Sequence, residues 1–422
     1  MKKVLIITYY WPPNGGTGVQ RWMHFSRYLK ELGWDVTVFT PINAESAVID
    51  TELLHLVNGI KVYPSKIWEP FDIYRKITGK KKSQRIQTGF LQENKKLFSL
   101  EKFSLWIRAN VFIPDAKMLW IRPAIKEIIA LQKEEQFTHM ISTGPPHSTH
   151  LIAAGVKEKI KIKWLADFRD PWTNIDWFPK LPMTKKTIAK HKYLESNVLK
   201  NPDAVVAVTF DMAIEFKEIA NREIQVVTNG FAFEDFKNFT SKKSNKLLVF
   251  HHGSLNADRN PVKFWKFLGE ITKTNEDWKN NLEIQLVGAV DISVLQEIEK
   301  NGLLKYLQVK SFMPHSEVIE ALSYATLCLL PLNNTPNAKG IMPNKLYEYL
   351  ATGKPIIVIG PKDGDTAGVI MSFENCCVFD FEEDIEYLVL RECLKKGEIS
   401  HDLSMFNRYN LAVEIDKLLQ SL

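Results

Sequence analysis

The apolar residues of this chain gather into short unbroken runs, each closed by a turn and followed by a stretch with helical spacing. Residues 4–10 form the first run, and a run without polar alternation suits a strand buried on both faces of a parallel sheet. It empties into a Gly-rich turn at residues 14–18. Trp22, Phe25, Leu29 and Leu32 then recur at helical spacing, Gly33 stops the helix, and residues 34–40 supply a second strand. The pattern returns at His139–Gly144, Lys163–Phe168 and residues 203–209 and 224–230. Strands alternating with helices in this way predict a doubly wound α/β domain.

After a polar, Lys-rich stretch at residues 231–245, a second series of runs begins at 247–254 and continues at 282–288, 306–312, 325–332, 355–360 and 376–380. Two domains follow, at residues 1–235 and 246–400, with a helix over 401–422 expected to return to the first. The rhythm breaks once. Residues 62–122 read as an insertion in which aromatic side chains interleave with basic ones, including Lys80, Lys81 and Lys82.

A length of 422 residues agrees with two cores rather than one. The net charge of +6 is spread along the chain, so charge alone does not point to nucleic acid. Cys328, Cys376, Cys377 and Cys393 lie within apolar or helical patterns and lack metal-clip spacing, which predicts reduced core residues and a cytoplasmic protein. The opening apolar run is too short for a signal peptide's core and ends in WPPNGG, which identifies it as a strand. No run approaches the roughly 18 to 20 apolar residues that cross a bilayer, so any membrane contact is expected to be peripheral.

Ligands of open parallel sheets collect beyond the carboxyl ends of the strands, so the residues leaving each predicted strand are the candidates. After the first strand, Gly15, Gly16, Thr17 and Gly18 let backbone amides approach an anion at a helix N-terminus, or form a plain tight turn. Their spacing is not GxGxxG, which argues against a dinucleotide. The exit at Gly144 puts His147 at the start of the next helix, where it either faces a cleft or serves packing, with His150 one turn on. Asp167, Arg169 and Asp170 set three charges at another strand end, either as an Asp-Arg-Asp bridge pinning the loop or as cleft groups. In the second half, Arg259 precedes a helix that begins near Pro261, where a guanidinium grips a diphosphate or is a solvated loop residue. The densest exit is GIMPNKLYEYLATGKPIIVIG at residues 340–360, with Pro343 near a helix start and Lys345 and Glu348 on one helical face. Elsewhere such a pair is an ordinary surface salt bridge. Here its carboxylate is placed to accept both hydroxyls of a ribose.

These segments resemble the GT-B fold glycosyltransferases of glycosyltransferase family 4, which build bacterial surface polysaccharides. The resemblance runs over nearly the whole chain, through LIITYYWPPNGGTGVQRW, STGPPHSTHL, WLADFRDPW, VVTNGF, GSLNADRNP and, most specifically, PNKLYEYLATGKPII. It implies an α/β protein of two Rossmann-like doubly wound domains facing a cleft, the first on the acceptor side and the second binding a nucleotide sugar. By this resemblance Glu348 holds the donor ribose and Arg259 and Lys345 lie near the pyrophosphate. Gly16 and Gly18 approach the phosphates and acceptor, and Gly253, Gly340, Ile341, Met342 and Pro343 complete the donor set. The chain departs from the family at Gly340, where many members carry a glutamate, so a carboxylate contact to the donor sugar is not carried over. Ser254 likewise stands where an arginine is common.

The implied reaction is a retaining transfer to a saccharide or lipid-linked saccharide acceptor by front-face displacement. Arg259, Lys345 and the amides near Met342 offset the charge of the leaving diphosphate, and His147 or Asp167 orients the acceptor hydroxyl. No acidic DxD pair leaves a first-domain strand, so neither a metal nor a cofactor is expected. Trp68, Phe71, Phe103, Trp106 and Phe112, with Lys80 to Lys82, either meet anionic lipid at the inner leaflet or pack a helix. Three other readings are a sugar-nucleotide epimerase, a nucleotide-sugar binder that has lost catalysis, and a nucleic-acid binder, for which only the insertion offers a basic stripe.

Overall fold

The structure, a computed structural model, describes residues 2–42, 44–45, 49–67, 99–311 and 313–422. Its backbone contacts divide it into two units, one made of Met1–Thr228 with Arg408–Leu422 and the other of Asn229–Asn407. Each unit is built on one parallel sheet with helices on its faces.

The first sheet contains β1 (Lys3–Ile7), β2 (Asp35–Pro41), β3 (Lys61–Ser65), β4 (His139–Gly144), β5 (Lys163–Phe168), β6 (Ala204–Ala207) and β7 (Gln225–Val226). Their order is β3-β2-β1-β4-β5-β6-β7, so strand order reverses between β1 and β4. The unbroken apolar runs follow from burial on both faces. Leu5 and Ile7 enter one core layer with Phe39, Trp120 and Trp164, while Val4 and Ile6 enter the opposite layer with Trp22, Phe25 and Leu29. Helix Arg408–Ser421 closes that second layer through Leu411, Ala412, Ile415 and Leu419, and its Asp416 accepts from Trp34 Nε1 at 2.7 Å.

Of the expected insertion at residues 62–122, the described parts, 62–67 and 99–122, contribute an edge strand and helices of the first unit. β3 is a paired edge strand beside β2, helices span Ser99–Val111 and Met118–Glu135, and the fully buried Trp120 donates to Ser65 Oγ at 2.9 Å. Trp106 is exposed and Phe112 half-buried. Trp68, Phe71, Lys80 to Lys82 and the Phe103 side chain lie outside the described residues. At residues 224–230 only β7, two residues long, pairs as strand.

The second sheet contains β8 (Leu247–His252), β9 (Leu282–Val287), β10 (Leu307–Lys310), β11 (Leu327–Pro331), β12 (Ile356–Ile359) and β13 (Cys376–Phe379), in the order β10-β9-β8-β11-β12-β13. Its order reverses between β8 and β11, the switch point at which open α/β sheets hold ligands. Val249 and Leu329 serve one core layer, Phe250 and Leu330 the other. All four cysteines are free thiols, three of them buried. Among the described residues no helix is long and apolar enough to cross a membrane.

Candidate functional site

In the second unit the switch point brings together the exits of β8 and β11 and the helix Asn344–Thr352. Gly253 leaves β8 at φ +99°, a left-handed conformation that only glycine adopts without strain, and a Cβ there would lie 2.6 Å from Lys345 Nζ. The missing side chain is what lets the ammonium sit over the strand end. No hydrogen-bond acceptor among the described residues holds Lys345 Nζ. Burial pushes the Lys345 pKa down to about 7, the Arg259 charge adds to this, and Glu348 opposes it.

Arg259 follows from the β8 exit loop. Its Nε donates to Asn333 Oδ1 at 2.9 Å and its Nη1 to the Ser254 carbonyl at 3.0 Å. Asn333 is buried just beyond β11, and the Asn334 amide donates to the Asp258 carbonyl at 2.7 Å, so the two loops that flank the switch point are tied to one another. Pro343 occupies the N-cap of helix Asn344–Thr352, and no side chain caps that end. The first amides of the helix therefore join Lys345 and Arg259 in a concentration of positive charge suited to a diphosphate.

Glu348 lies one turn into the same helix, on the face that carries Lys345, and its Oε2 is 3.1 Å from His252 Nε2, a close polar contact without hydrogen-bond alignment. Gly340 ends a short 3-10 turn, Ile341 offers its carbonyl to Thr366 Oγ1 at 2.6 Å, and Met342 is buried. The predicted residues Gly253, Arg259, Lys345 and Glu348 thus meet at one place, with Gly340, Ile341, Met342 and Pro343 as the segment leading into the helix. His252 and Asn333 join them without having been predicted. Their signal was positional, because both leave the two strands that border the switch point.

In the first unit Gly16, at φ +86°, is the exposed N-cap of helix Thr17–Glu31. Arg169 Nη1 donates to the Gly18 carbonyl at 2.6 Å, and Arg169 also donates to the carbonyls of Gly144 and Pro145. This guanidinium therefore ties the Gly-rich turn to the β4 exit. Among the described residues no ion pair joins Arg169 to Asp167 or Asp170, as the expected Asp-Arg-Asp bridge would.

Asp167 corrects the expectation that it orients an acceptor. It is fully buried, its Oδ1 accepting from Arg21 Nε and Nη2 at 3.1 and 2.9 Å and its Oδ2 from Trp22 Nε1 and Thr143 Oγ1 at 2.6 and 2.9 Å. Arg21 continues to the carbonyls of Val227 and Thr228. Asp167 is thus the hub of a core network in which both carboxylate oxygens are occupied. His147 is the N-cap of helix Ser148–Lys157, whose first amide donates to Asp115 Oδ2 at 2.9 Å. Its ring stacks on Trp172 at 4.6 Å and is buried, and burial, then the charges of His150, His191 and Arg169, hold its pKa well below the ordinary value. His150, fully buried and bonded to Ser142 Oγ at 2.8 Å, is pushed down to about 3, also chiefly by burial. Both imidazoles are neutral around pH 7, and the His147 ring serves as a buried packing surface against Trp172.

No family model matches the chain, and no curated protein matches it. Solved structures do. Over all of this chain and 99% of its own, the trehalose-6-phosphate synthase OtsA superposes with a TM-score of 0.64 at 11% identity. The sucrose-phosphate synthase of Thermosynechococcus elongatus does so with a TM-score of 0.62 at 11% identity, over 100% and 99% of the two chains. A Listeria monocytogenes protein assigned as a UDP-N-acetylglucosamine 2-epimerase follows with 0.54 at 11% identity, over 100% and 96%. At such identities the likeness speaks for fold alone, and the chain has the two parallel α/β sheets of the GT-B fold.

Proposed function

We propose that this protein is a glycosyltransferase that moves a sugar from a nucleotide-sugar donor to a saccharide or lipid-linked saccharide, in the manner of family 4 enzymes of surface polysaccharide synthesis. The observation that carries the proposal is the seat of the Lys345 ammonium over Gly253, beside Arg259 and one turn from Glu348, at the switch point of the second sheet. A diphosphate placed there is met by two cations and a helix N-terminus, and the nucleoside ribose by a carboxylate.

Breaking the glycosyl–phosphate bond leaves negative charge on the diphosphate, so groups fixed in advance at that end lower the barrier more than they aid ground-state binding. Lys345 and Arg259 supply that charge, which is why the reaction is read as independent of metal. Asp167 is committed to the core, and the donor phosphate oxygen takes the acceptor proton in a retaining, front-face step. The similar fold of synthases that form sugar phosphates supports transfer. The epimerase of similar fold supplies the competing reading, in which the sugar is isomerised without an acceptor.

Incubating the protein with UDP-, GDP- and dTDP-sugars, with and without lipid-linked oligosaccharides, tests the proposal. Nucleotide release that rises with acceptor, and collapses in Glu348→Gln, is expected. Release unaffected by that substitution removes Glu348 from the donor site.

A further inference from the structure

The β8 exit meets helix Asn344–Thr352 at two consecutive residues. Gly253 underlies Lys345 Nζ, and His252, the residue before it, places Nε2 3.1 Å from Glu348 Oε2. The two helix residues lie one turn apart on one face, so a single strand end addresses both the cation expected at the diphosphate and the carboxylate expected at the ribose. The His252 ring is not loosely held. Its edge packs against Tyr349 at 5.3 Å, and its backbone N–H donates to Tyr349 Oη at 3.2 Å, which fixes the strand end to the next residue of the helix. The side chains of His252 and Glu348 are 15% and 18% exposed, a degree of burial at which a misdirected carboxylate loses water without gaining a partner.

We infer that His252 is a positioning residue for nucleoside recognition, holding the Glu348 carboxylate in the orientation that accepts the ribose hydroxyls. The inference rests on the donor-site reading given above. His252 Nε2 stands 3.1 Å from Glu348 Oε2 without hydrogen-bond alignment, a contact that restricts where the carboxylate lies, and a carboxylate, with about four lone-pair positions, can accept from both hydroxyls of a ribose. Glutamate has a flexible stem, and a fixed partner at one oxygen selects among its rotamers before the ligand arrives. The effect is confined to the nucleoside end. Lys345 and Arg259 meet the diphosphate through Gly253 and Asn333, neither of which involves the imidazole.

The test compares wild type with His252→Phe, which keeps a ring without the donor, His252→Asn, whose amide is too short to stand where Nε2 stands, His252→Gln, which keeps a donor near that place, and Glu348→Gln. The probes are UDP, GDP and dTDP, the tightest binder's analogue lacking the ribose hydroxyls, and inorganic pyrophosphate, each titrated calorimetrically. His252→Phe and His252→Asn are expected to weaken the nucleoside diphosphate about tenfold and His252→Gln about threefold or less, the scale of one hydrogen bond between a ribose hydroxyl and a carboxylate that is no longer held in place. Binding of pyrophosphate and of the hydroxyl-free analogue should change by less than about twofold in every His252 variant. If Glu348→Gln abolishes discrimination for the ribose hydroxyls while the Phe and Asn variants retain it, this inference falls and the donor site stands. If Glu348→Gln itself leaves that discrimination intact, or no nucleoside diphosphate binds wild type, the donor-site reading falls first. Equal weakening of pyrophosphate and nucleotide in the Phe and Asn variants would show a merely structural histidine and overturn the inference.

Discussion

If Lys345 meets a diphosphate, donor binding must take up protons. Burial and the Arg259 charge set its pKa at about 7, against 10.5 for an ordinary lysine, so charging this side chain costs on the order of 5 kcal/mol relative to water. A bound diphosphate supplies the missing counter-charge and returns the lysine to its charged form. The uptake on binding is then about half a proton at pH 7 and about nine-tenths at pH 8, and affinity falls by close to tenfold per pH unit above that, or about 1.4 kcal/mol. From about pH 8 upward the ligand's own charge changes little, so the titrations at pH 8 and 9 isolate the protein's contribution. Titration calorimetry of the binding nucleoside diphosphate, in buffers of different ionisation enthalpy at pH 7, 8 and 9, measures the uptake directly. Lys345→Arg, always charged, should bind without this uptake, and Lys345→Met should bind weakly with no pH slope. A wild-type affinity flat between pH 7 and 9, with no buffer-dependent heat, would refute the reasoning, because it would mean the ammonium is already charged before the ligand binds.

Three further outcomes follow from particular contacts. Asp167→Asn leaves the Arg21 guanidinium buried without its counter-charge and should lower unfolding stability by about 3 to 5 kcal/mol in urea titrations, whereas an acceptor-orienting residue would change turnover with little loss of stability. Gly253→Ala sets a Cβ 2.6 Å from Lys345 Nζ on a backbone at φ +99°, and should weaken pyrophosphate and nucleotide binding together by tenfold or more, about 1.4 kcal/mol, with pyrophosphate the decisive ligand. His150 and His191 have folded pKa values lowered to about 3 and about 4, chiefly by burial, so as pH falls below about 6.5 the unfolded chain binds protons that the folded chain refuses. Their contribution is present above that pH and is lost on acidification at on the order of 1 kcal/mol per pH unit for each, and replacing His150 by Asn should flatten the slope of stability between pH 6.5 and 5.

Most of the second-unit site was legible because its parts obey local rules. A strand that ends in glycine, an arginine before a helix and a proline at a helix start are all signals written within a few residues of where they act. What escaped needed partners far away in sequence. The charges at Asp167 read as a cleft group, yet the residue that claims its carboxylate is Arg21, 146 positions earlier, and nothing local announces that pairing. His252 went unread for the same reason, since its meaning depends on Glu348, which reaches it only once β8 and β11 pair. β3 was absorbed into an insertion because KVYPS is mostly exposed and carries a proline, the marks of an edge strand rather than of a buried run. The two faces of β1 show the converse case, where an unbroken apolar run was sufficient to predict a strand buried from both sides.

Glycosyl transfer itself is tested most directly by the mass of what the protein makes. The nucleotide sugar that binds best should be supplied with its anomeric carbon isotopically labelled, together with a lipid-linked saccharide, and the products followed by mass spectrometry and carbon NMR. A saccharide heavier by one sugar residue, carrying the label with the donor's anomeric configuration and formed only when acceptor is present, is the predicted result. A labelled nucleotide sugar isomerised without acceptor, or a new linkage of inverted configuration, would contradict the account.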